Sequence, residues 1–188
     1  IDFKNLKVKW VFLLNNYLLE IARLFSGTLD KLIIAPIFGF IILGNYYLGI
    51  QIFSVIVIIP SIMYQYILPH DASEVSTKKI KKITILVSII LAAIGYFTSP
   101  IIIPILFPKY LDAIELIQIL SIVVIPTTIN LIYVSKFLSK LKNKIILLGT
   151  IIVIPIQIIG IIILGKEYGI VGLGMAVLIA DLVQTIYY

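Results

Sequence analysis

The sequence contains no cysteine, which excludes disulfide bonds and thiolate metal sites. It has a single histidine, and its nine acidic residues are scattered along the chain rather than clustered with a base or with each other. We therefore predict no catalytic residue, no metal site and no cofactor, and the chain is not expected to be an enzyme. Charged residues make up only 13% of the chain, against about 25% in a typical soluble domain. This shortage of charge excludes a water-soluble fold.

Long uncharged stretches take the place of the missing charge. Residues 32–69 are thirty-eight consecutive positions without one charged side chain, and three more such stretches follow. About 20 apolar residues in a helix cross a bilayer, so residues 32–69 are predicted to hold most of two spans and the turn between them. The Ile, Leu and Val runs lack the alternation of barrel strands. The sequence predicts an all-α, polytopic transmembrane helix bundle whose surroundings are the lipid bilayer.

Charged residues and turn residues divide the chain into about six predicted spans within a single domain, residues 1–188. The spans are 10–36, 44–68, 83–106, 111–137, 145–164 and 170–188. Short turns are predicted at 39–45, 107–110 and 165–169, and the other two connections are rich in lysine. Prolines fall in or at the ends of five spans, where each can bend a helix. They are Pro36, Pro60, Pro100, Pro104, Pro126 and Pro155.

Lysines are concentrated on one side of this predicted bundle. Eleven lie before the first span, after the second or after the fourth, whereas only Lys109 and Lys166 lie on the other side. Because cationic loops are retained in the cytoplasm, both ends of the chain are predicted to lie on the cytoplasmic side of the cell membrane. The net charge of +6 then suits anionic lipid head groups. No basic stripe stands on a soluble domain, so no nucleic-acid partner is predicted.

The first span carries a stripe of polar residues at bilayer depth. The stripe consists of Glu20, Arg23, Gly27, Asp30 and Lys31. Its first four members fall at positions i, i+3, i+7 and i+10, and they share one helix face. Glu20 lies about 15 Å below the start of the span at 1.5 Å per residue. Ionisable groups at that depth cost at least about 2.5–3.5 kcal/mol each, so they are expected to face a partner, the bundle interior or a watery cavity.

Two interpretations of the stripe remain open. In the first, Glu20 and Arg23 neutralise each other, Asp30 pairs with a neighbour, and the stripe packs inside the bundle. In the second, the stripe lines a water-filled cavity, and Arg23 with Lys31 attracts an anionic substrate. The second interpretation makes all four ionisable residues candidates for substrate binding.

Two more ionisable positions stand out. Asp181 in the last span is a further candidate lining residue, although a hydrogen bond to Gln184 or to a facing helix would equally explain it. His70 lies beside Asp71 at a predicted membrane edge and is interpreted as a solvated interfacial residue. The chain also begins at Ile1 and ends at Tyr188 with no polar tail. We therefore expect it to be a piece of a longer protein.

Short apolar motifs occur in a fixed order through essentially all 188 residues. They are LDK at 29–31, FG at 38–39, LGNY at 43–46, IPS at 59–61, LP at 68–69, LFPKY at 106–110 followed by Ala113, ILS at 119–121 and YGIVGLGMA at 168–176. In this order and spacing the chain resembles the polysaccharide flippases of the multidrug/oligosaccharidyl-lipid/polysaccharide exporter superfamily. The match falls on the second half of such transporters, beginning at their seventh helix.

The resemblance implies a fold and a cargo. Members have twelve to fourteen helices in two six-helix lobes, arranged as a V around a central cavity that opens alternately to either side. This chain would be the C-terminal lobe, and its partner would be the N-terminal lobe of the same protein. The implied substrate is a polyprenyl-diphosphate-linked oligosaccharide that is used in the biosynthesis of surface polysaccharide. Arg23 would hold the diphosphate, while Glu20 and Asp30 would position Arg23 and Lys31 or contact sugar hydroxyls.

Three alternatives to this function are open. A multidrug exporter of the same superfamily would share the architecture but would move amphipathic cations, which favour buried carboxylates over a buried arginine. A membrane enzyme acting on lipid-linked substrates would need clustered Asp or His near one interface. A scaffold subunit without transport activity would use the polar stripe only to pair with another protein.

Overall fold

The computed structural model describes residues 3–188, apart from the side chains at 3–9, 11, 12, 16 and 22–27. It contains α1 (Phe3–Ala72), α2 (Lys78–Leu106), α3 (Ala113–Ser139) and α4 (Asn143–Tyr187), and the described part of the chain holds no strand. Among the described residues, four helices are long and apolar enough to cross a membrane; in α1 this part begins at Thr28. The all-α prediction is therefore confirmed, and the chain has the character of a transmembrane protein.

Helix α1 folds back on itself at Gly39. This glycine has φ 85° and ψ 169°, a conformation that side-chain-bearing residues rarely adopt. Asp30 precedes Gly39 and Tyr46 follows it, yet the hydroxyl of Tyr46 donates a hydrogen bond of 2.6 Å to Oδ2 of Asp30. In a straight helix these two residues would be separated by about 24 Å along the axis. α1 is therefore a helical hairpin whose arms are residues 3–38 and 40–72.

Helix α4 forms a second hairpin at Gly169, where φ is 58° and ψ is −133°. A Cβ atom added at Gly160 would lie 2.9 Å from Cβ of Ala176, so the arms 143–168 and 170–187 pack closely side by side. The predicted turns at 39–45 and 165–169 are thus too long. Each reversal needs one non-helical glycine, and residues 40–45 and 165–168 are helical. A glycine with positive φ can reverse the direction of a helix without a loop.

The connections lie at two opposite ends of the bundle. At the end that we call the glycine end, a Cβ at Gly165 would lie 2.6 Å from the Phe38 ring, and one at Gly44 would lie 3.3 Å from the Tyr110 ring. The reversals at Gly39 and Gly169 therefore lie together with the α2–α3 connection. At the lysine end, defined by connections 73–77 and 140–142, Asp71 in the last turn of α1 accepts a hydrogen bond from Ser135 of α3. The predicted division into short turns and lysine-rich connections is thus also a spatial one.

Helix α3 lies at the centre of the bundle. In its most apolar 18-residue stretch, half of the residues are buried, against 17–28% in the corresponding stretches of the other three helices. It contacts both hairpins as well as α2. The main buried cluster joins it to the arms of α1 and α4. This cluster consists of Ile34, Tyr46, Leu116, Leu120, Val123, Ile161, Leu173 and Ala176. The outer helices expose large apolar side chains such as Phe40 and Ile41, as helices that face lipid do.

The reversal at Gly39 can be tested by substitution. Gly39→Ala is expected to lower the free energy of unfolding by about 1–3 kcal/mol, because a side chain at this φ and ψ strains the backbone. Gly44→Ala is the control, since its Cβ would meet only the ring edge of Tyr110 at 3.3 Å. Both are measured by SDS titration of the protein in detergent. Equal losses from the two substitutions would show that the reversal does not depend on the positive φ.

Candidate functional site

A network of polar side chains joins α3 to the second arm of α4 inside the bundle. The hydroxyl of Thr127 donates a hydrogen bond to Oδ2 of Asp181. One turn further along α3, Nδ2 of Asn130 lies 3.2 Å from the carbonyl oxygen of Asp181 and 3.3 Å from Oε1 of Gln184. The hydroxyl of Thr185 donates to Oδ1 of Asn130 at 2.9 Å. These bonds fix the register of the two helices and hold the Asp181 carboxylate in place.

The network borders a cavity of about 270 Å³ between α3 and the two arms of α4. We call it the polar cavity. Its polar lining residues are Thr127, Asn130, Thr150, Gln157, Asp181 and Gln184. Hydroxyl and amide groups both donate and accept hydrogen bonds, and the carboxylate adds a strong acceptor. Polar groups inside a membrane bundle are costly unless they have partners, so this lining is suited to a ligand with many hydroxyl or amide groups.

Asp30 forms a second polar position next to this cavity. Its side chain is buried and accepts hydrogen bonds from the Tyr46 hydroxyl at 2.6 Å and from the backbone N–H of Lys31 at 2.9 Å. Asp30 and Gln157 line the same small pocket, and Gln157 also lines the polar cavity. Gln157 therefore lies beside both Asp30, which is buried, and Asp181, which is half-buried.

The structure separates the residues that were predicted to form one stripe. Asp30 lies in the bundle interior, whereas Nζ of Lys31 lies 4.9 Å above the ring of Tyr47. Consecutive residues on a helix point about 100° apart, which accounts for the separation. Glu20 is exposed. The Arg23 side chain lies outside the described residues, so its predicted role stays a prediction.

Asp181, which is half-buried, and Asp30, which is buried, have specific partners. Asp181 bonds to the facing helix α3 through Thr127, which is one of the two arrangements considered from the sequence. Asp30 bonds to Tyr46 across the α1 hairpin, a partner that the sequence interpretation did not name. Among the described side chains, no group of three His, Asp or Glu residues is placed to hold a metal ion.

Asp71 has a larger structural role than its position beside His70 suggested. Its carboxylate accepts hydrogen bonds from Nζ of Lys81 at 2.7 Å, from the Thr77 hydroxyl at 2.5 Å and from the Ser135 hydroxyl at 2.8 Å. It therefore joins the end of α1 to the beginning of α2 and to the end of α3. We call this group the Asp71 junction.

The sequence interpretation missed Thr127, Asn130 and Gln157. A signal for the first two was present, because they are separated by three residues and lie on one face of a span that is otherwise mostly apolar. Asp181 and Gln184 have the same spacing in the last span. Two such pairs on different spans indicate two polar faces, and helices in membranes use such faces to contact one another.

No family model, curated protein or solved structure matches this chain. Fold and site by themselves define the class. The described part of the chain is an all-α structure with helices apolar enough to cross a membrane, a polar cavity, one buried carboxylate, Asp30, and one half-buried carboxylate, Asp181.

Proposed function

We propose that this chain is the C-terminal lobe of a flippase that moves a polyprenyl-diphosphate-linked oligosaccharide across the cytoplasmic membrane. The observation that supports this function is the polar cavity. Its hydroxyl, amide and carboxylate groups suit the hydrogen-bonding pattern of a sugar, and they lie among helices that expose many large apolar side chains. The resemblance of the sequence to flippases points to the same cargo.

Six membrane spans follow from the same proposal. Each arm of α1 and α4 crosses the bilayer separately, and the shortest arm, residues 170–187, is about 27 Å long at 1.5 Å per residue. That length is close to the roughly 30 Å of the hydrocarbon core. The lysine end faces the cytoplasm, and both ends of the chain lie on that side. The bilayer and an N-terminal six-helix lobe of the same protein are its partners.

The task of such a protein is to move a sugar head group through hydrocarbon while the lipid tail stays in the membrane. A hydrated cavity that is open to the side lowers the desolvation cost of the sugar. Arg23 and Lys31 attract the diphosphate, Glu20 and Asp30 contact sugar hydroxyls, and Asp181 lines the cavity. The prolines inside the helices permit bending, and one lobe rocks against the other to give alternating access.

A multidrug exporter is the second candidate, and one specific observation favours it. Asp30 and Asp181 are carboxylates inside the bundle, and a buried carboxylate attracts an amphipathic cation. The two candidates differ in cargo. A flippase moves a hydroxyl-rich head group on a lipid, and an exporter moves a free cationic compound, which would appear as drug resistance in cells.

Flipping is tested with the complete protein reconstituted in liposomes that contain a fluorescent lipid-linked oligosaccharide. Gln157→Leu is expected to lower the flipping rate about ten-fold, because it removes one amide from the cavity wall and with it the hydrogen bonds to the cargo. Gln51→Leu is the matched control, since Gln51 is exposed on α1. Its rate is expected to stay within about two-fold of the original, because an exposed substitution removes no buried hydrogen bond.

Two results would contradict the proposal. An unchanged rate in the correctly folded Gln157→Leu protein would remove the polar cavity from the transport route. Transport of cationic dyes by the complete protein, without flipping of the lipid-linked oligosaccharide, would replace the flippase by the multidrug exporter.

A further inference from the structure

The two lysine-rich connections of the chain meet at the Asp71 junction. Asp71 binds Thr77 and Lys81 on the α1–α2 side and Ser135 near the end of α3 on the other. The bond to Lys81 is an ion pair of 2.7 Å, and the bond to Ser135 spans 64 positions of sequence. The lysines that begin α2 therefore lie at the same end of the bundle as Lys136 and the lysines of the α3–α4 connection. They form one surface rather than two separate loops.

This surface carries the whole net charge of the chain. The connections and the helix ends beside them, residues 71–82 and 136–144, together hold eight lysines and two carboxylates, Asp71 and Glu74. Their net charge is +6, which equals that of the entire sequence, so the remaining charges cancel. Lys81 is half-buried and paired with Asp71, and the other seven are exposed. These seven are Lys78, Lys79, Lys82, Lys136, Lys140, Lys142 and Lys144.

Exposed apolar side chains adjoin these lysines. Leu141 lies between Lys140 and Lys142 with φ 56° and is 66% exposed. At the beginning of α2, Ile83 and Leu86 are also exposed, within two turns of the first lysines. Such a border between apolar and cationic groups suits the depth at which lipid head groups meet acyl chains. A nucleic acid would bind the cations but would leave the apolar side chains beside them exposed to water.

We propose that the seven exposed lysines form a binding surface for anionic phospholipid head groups, with Asp71 as its positioning residue. Ammonium groups on flexible stems act as mobile point charges, which suits phosphates of varied geometry. Each lysine near an anionic membrane surface strengthens binding about five-fold. The ring of Tyr133 supports this surface, because Nζ of Lys136 lies 5.8 Å above it. The proposal holds whatever substrate the protein transports.

Asp71 makes this proposal differ from simple charge counting. Asp71→Asn removes one negative charge, so charge counting alone expects tighter binding of anionic lipid. If Asp71 instead positions the lysines, the substitution weakens the bonds to Lys81, Thr77 and Ser135 and lets the two connections separate. Binding of anionic lipid should then fall although the net charge rises. The two accounts therefore predict changes of opposite sign.

The experiment compares lipid adducts of the complete purified protein by native mass spectrometry, with equal amounts of phosphatidylglycerol and phosphatidylcholine. The original protein is expected to prefer phosphatidylglycerol. Substitution of six lysines by glutamine is expected to lower this preference at least about ten-fold. The six are Lys78, Lys79, Lys82, Lys140, Lys142 and Lys144. The control at the glycine end is the double substitution Lys109→Gln and Lys166→Gln, which should keep the preference. Asp71→Asn, which tests the positioning role, should reduce the preference about three-fold or more.

Several outcomes would overturn the proposal. They are equal preference for both lipids in the original protein, an equal loss in the glycine-end control, and a stronger preference in Asp71→Asn. A salt series on the unchanged protein gives an independent test if the six-fold variant does not fold. The preference should fall as salt is raised from about 0.05 M to about 0.5 M, because salt screens exposed charges over this range. A constant preference would contradict the proposal. Tight binding of a short single-stranded RNA in phosphatidylcholine nanodiscs would assign the surface to nucleic acid instead.

Discussion

Replacing Gly172 with alanine is expected to prevent α4 from closing as a hairpin. A Cβ atom at this position would overlap the carbonyl group of Leu164 and lie 2.8 Å from the backbone nitrogen of Gly165. These are backbone atoms of the opposite arm, so no change of side-chain rotamer can relieve the overlap. The arms would have to separate, and the contacts of Leu173 and Ala176 in the main buried cluster would be lost. We expect a loss of at least about 3 kcal/mol in the free energy of unfolding.

Gly174→Ala is the graded control for this prediction. Gly174 lies on the same arm, but its added Cβ would meet only side-chain atoms of Leu116 and Ile119, at 3.1–3.2 Å. Side chains can shift by a few tenths of an ångström, so the loss should stay below about 2 kcal/mol. SDS titration and the yield of monodisperse protein measure both variants. If Gly172→Ala were as stable as Gly174→Ala, the close approach of the two arms of α4 would be wrong.

Asp181 gives the second large effect, this time on transport. Its carboxylate borders the polar cavity and accepts a hydrogen bond from Thr127. Asp181→Leu removes the carboxylate from the cavity wall and leaves the Thr127 hydroxyl without this acceptor, so we expect flipping to fall about 100-fold. Asp181→Asn keeps the size and one acceptor oxygen while removing the charge. For a cargo that is recognised through its hydroxyl groups, the Asn variant should retain flipping within about ten-fold of the original.

The pair of substitutions also separates the two candidate functions. An exporter that attracts cations to the carboxylate would lose transport in both variants, because Asn carries no charge. Asp112→Leu is the matched control, since Asp112 is an exposed carboxylate just before α3. Flipping by reconstituted complete protein and uptake of a cationic dye are measured side by side. Full activity of both Asp181 variants would exclude the polar cavity from either route.

The sequence was most informative where the physics is local. Uncharged runs of bilayer length predicted the apolar helices, and the predicted end of the third span at Leu106 coincides with the end of α2. The short turns and the lysine connections were also separated correctly along the chain. Each of these features depends on composition over about 20 residues, which can be read without knowing any contact.

The sequence could not give what depends on contacts between distant residues. Gly39 reverses the chain because the arms of α1 pack together, and the same glycine could equally continue a helix. Thr127 and Asp181 are 54 positions apart, and nothing in either span alone sets the register that joins them. Tyr46 became a partner of Asp30 only through the hairpin. Among the described residues that were predicted to line a cavity, Asp181 lines the polar cavity, whereas its polar neighbours Thr127 and Asn130 were not predicted.

The central position of α3 has a consequence for the order of assembly. During synthesis the α1 hairpin and α2 enter the bilayer first, and they contact each other far less than each contacts α3. Until α3 arrives, these earlier segments can hold only a loose arrangement in the lipid. Once it does, Ile117 and Ala113 of α3 pack with Ile103 of α2. Leu48 and Ile52 of α1 pack against the same cluster, which brings the separate pieces together. The bundle therefore assembles around α3, and the α4 hairpin packs last, against α1 and α3 that are already in contact.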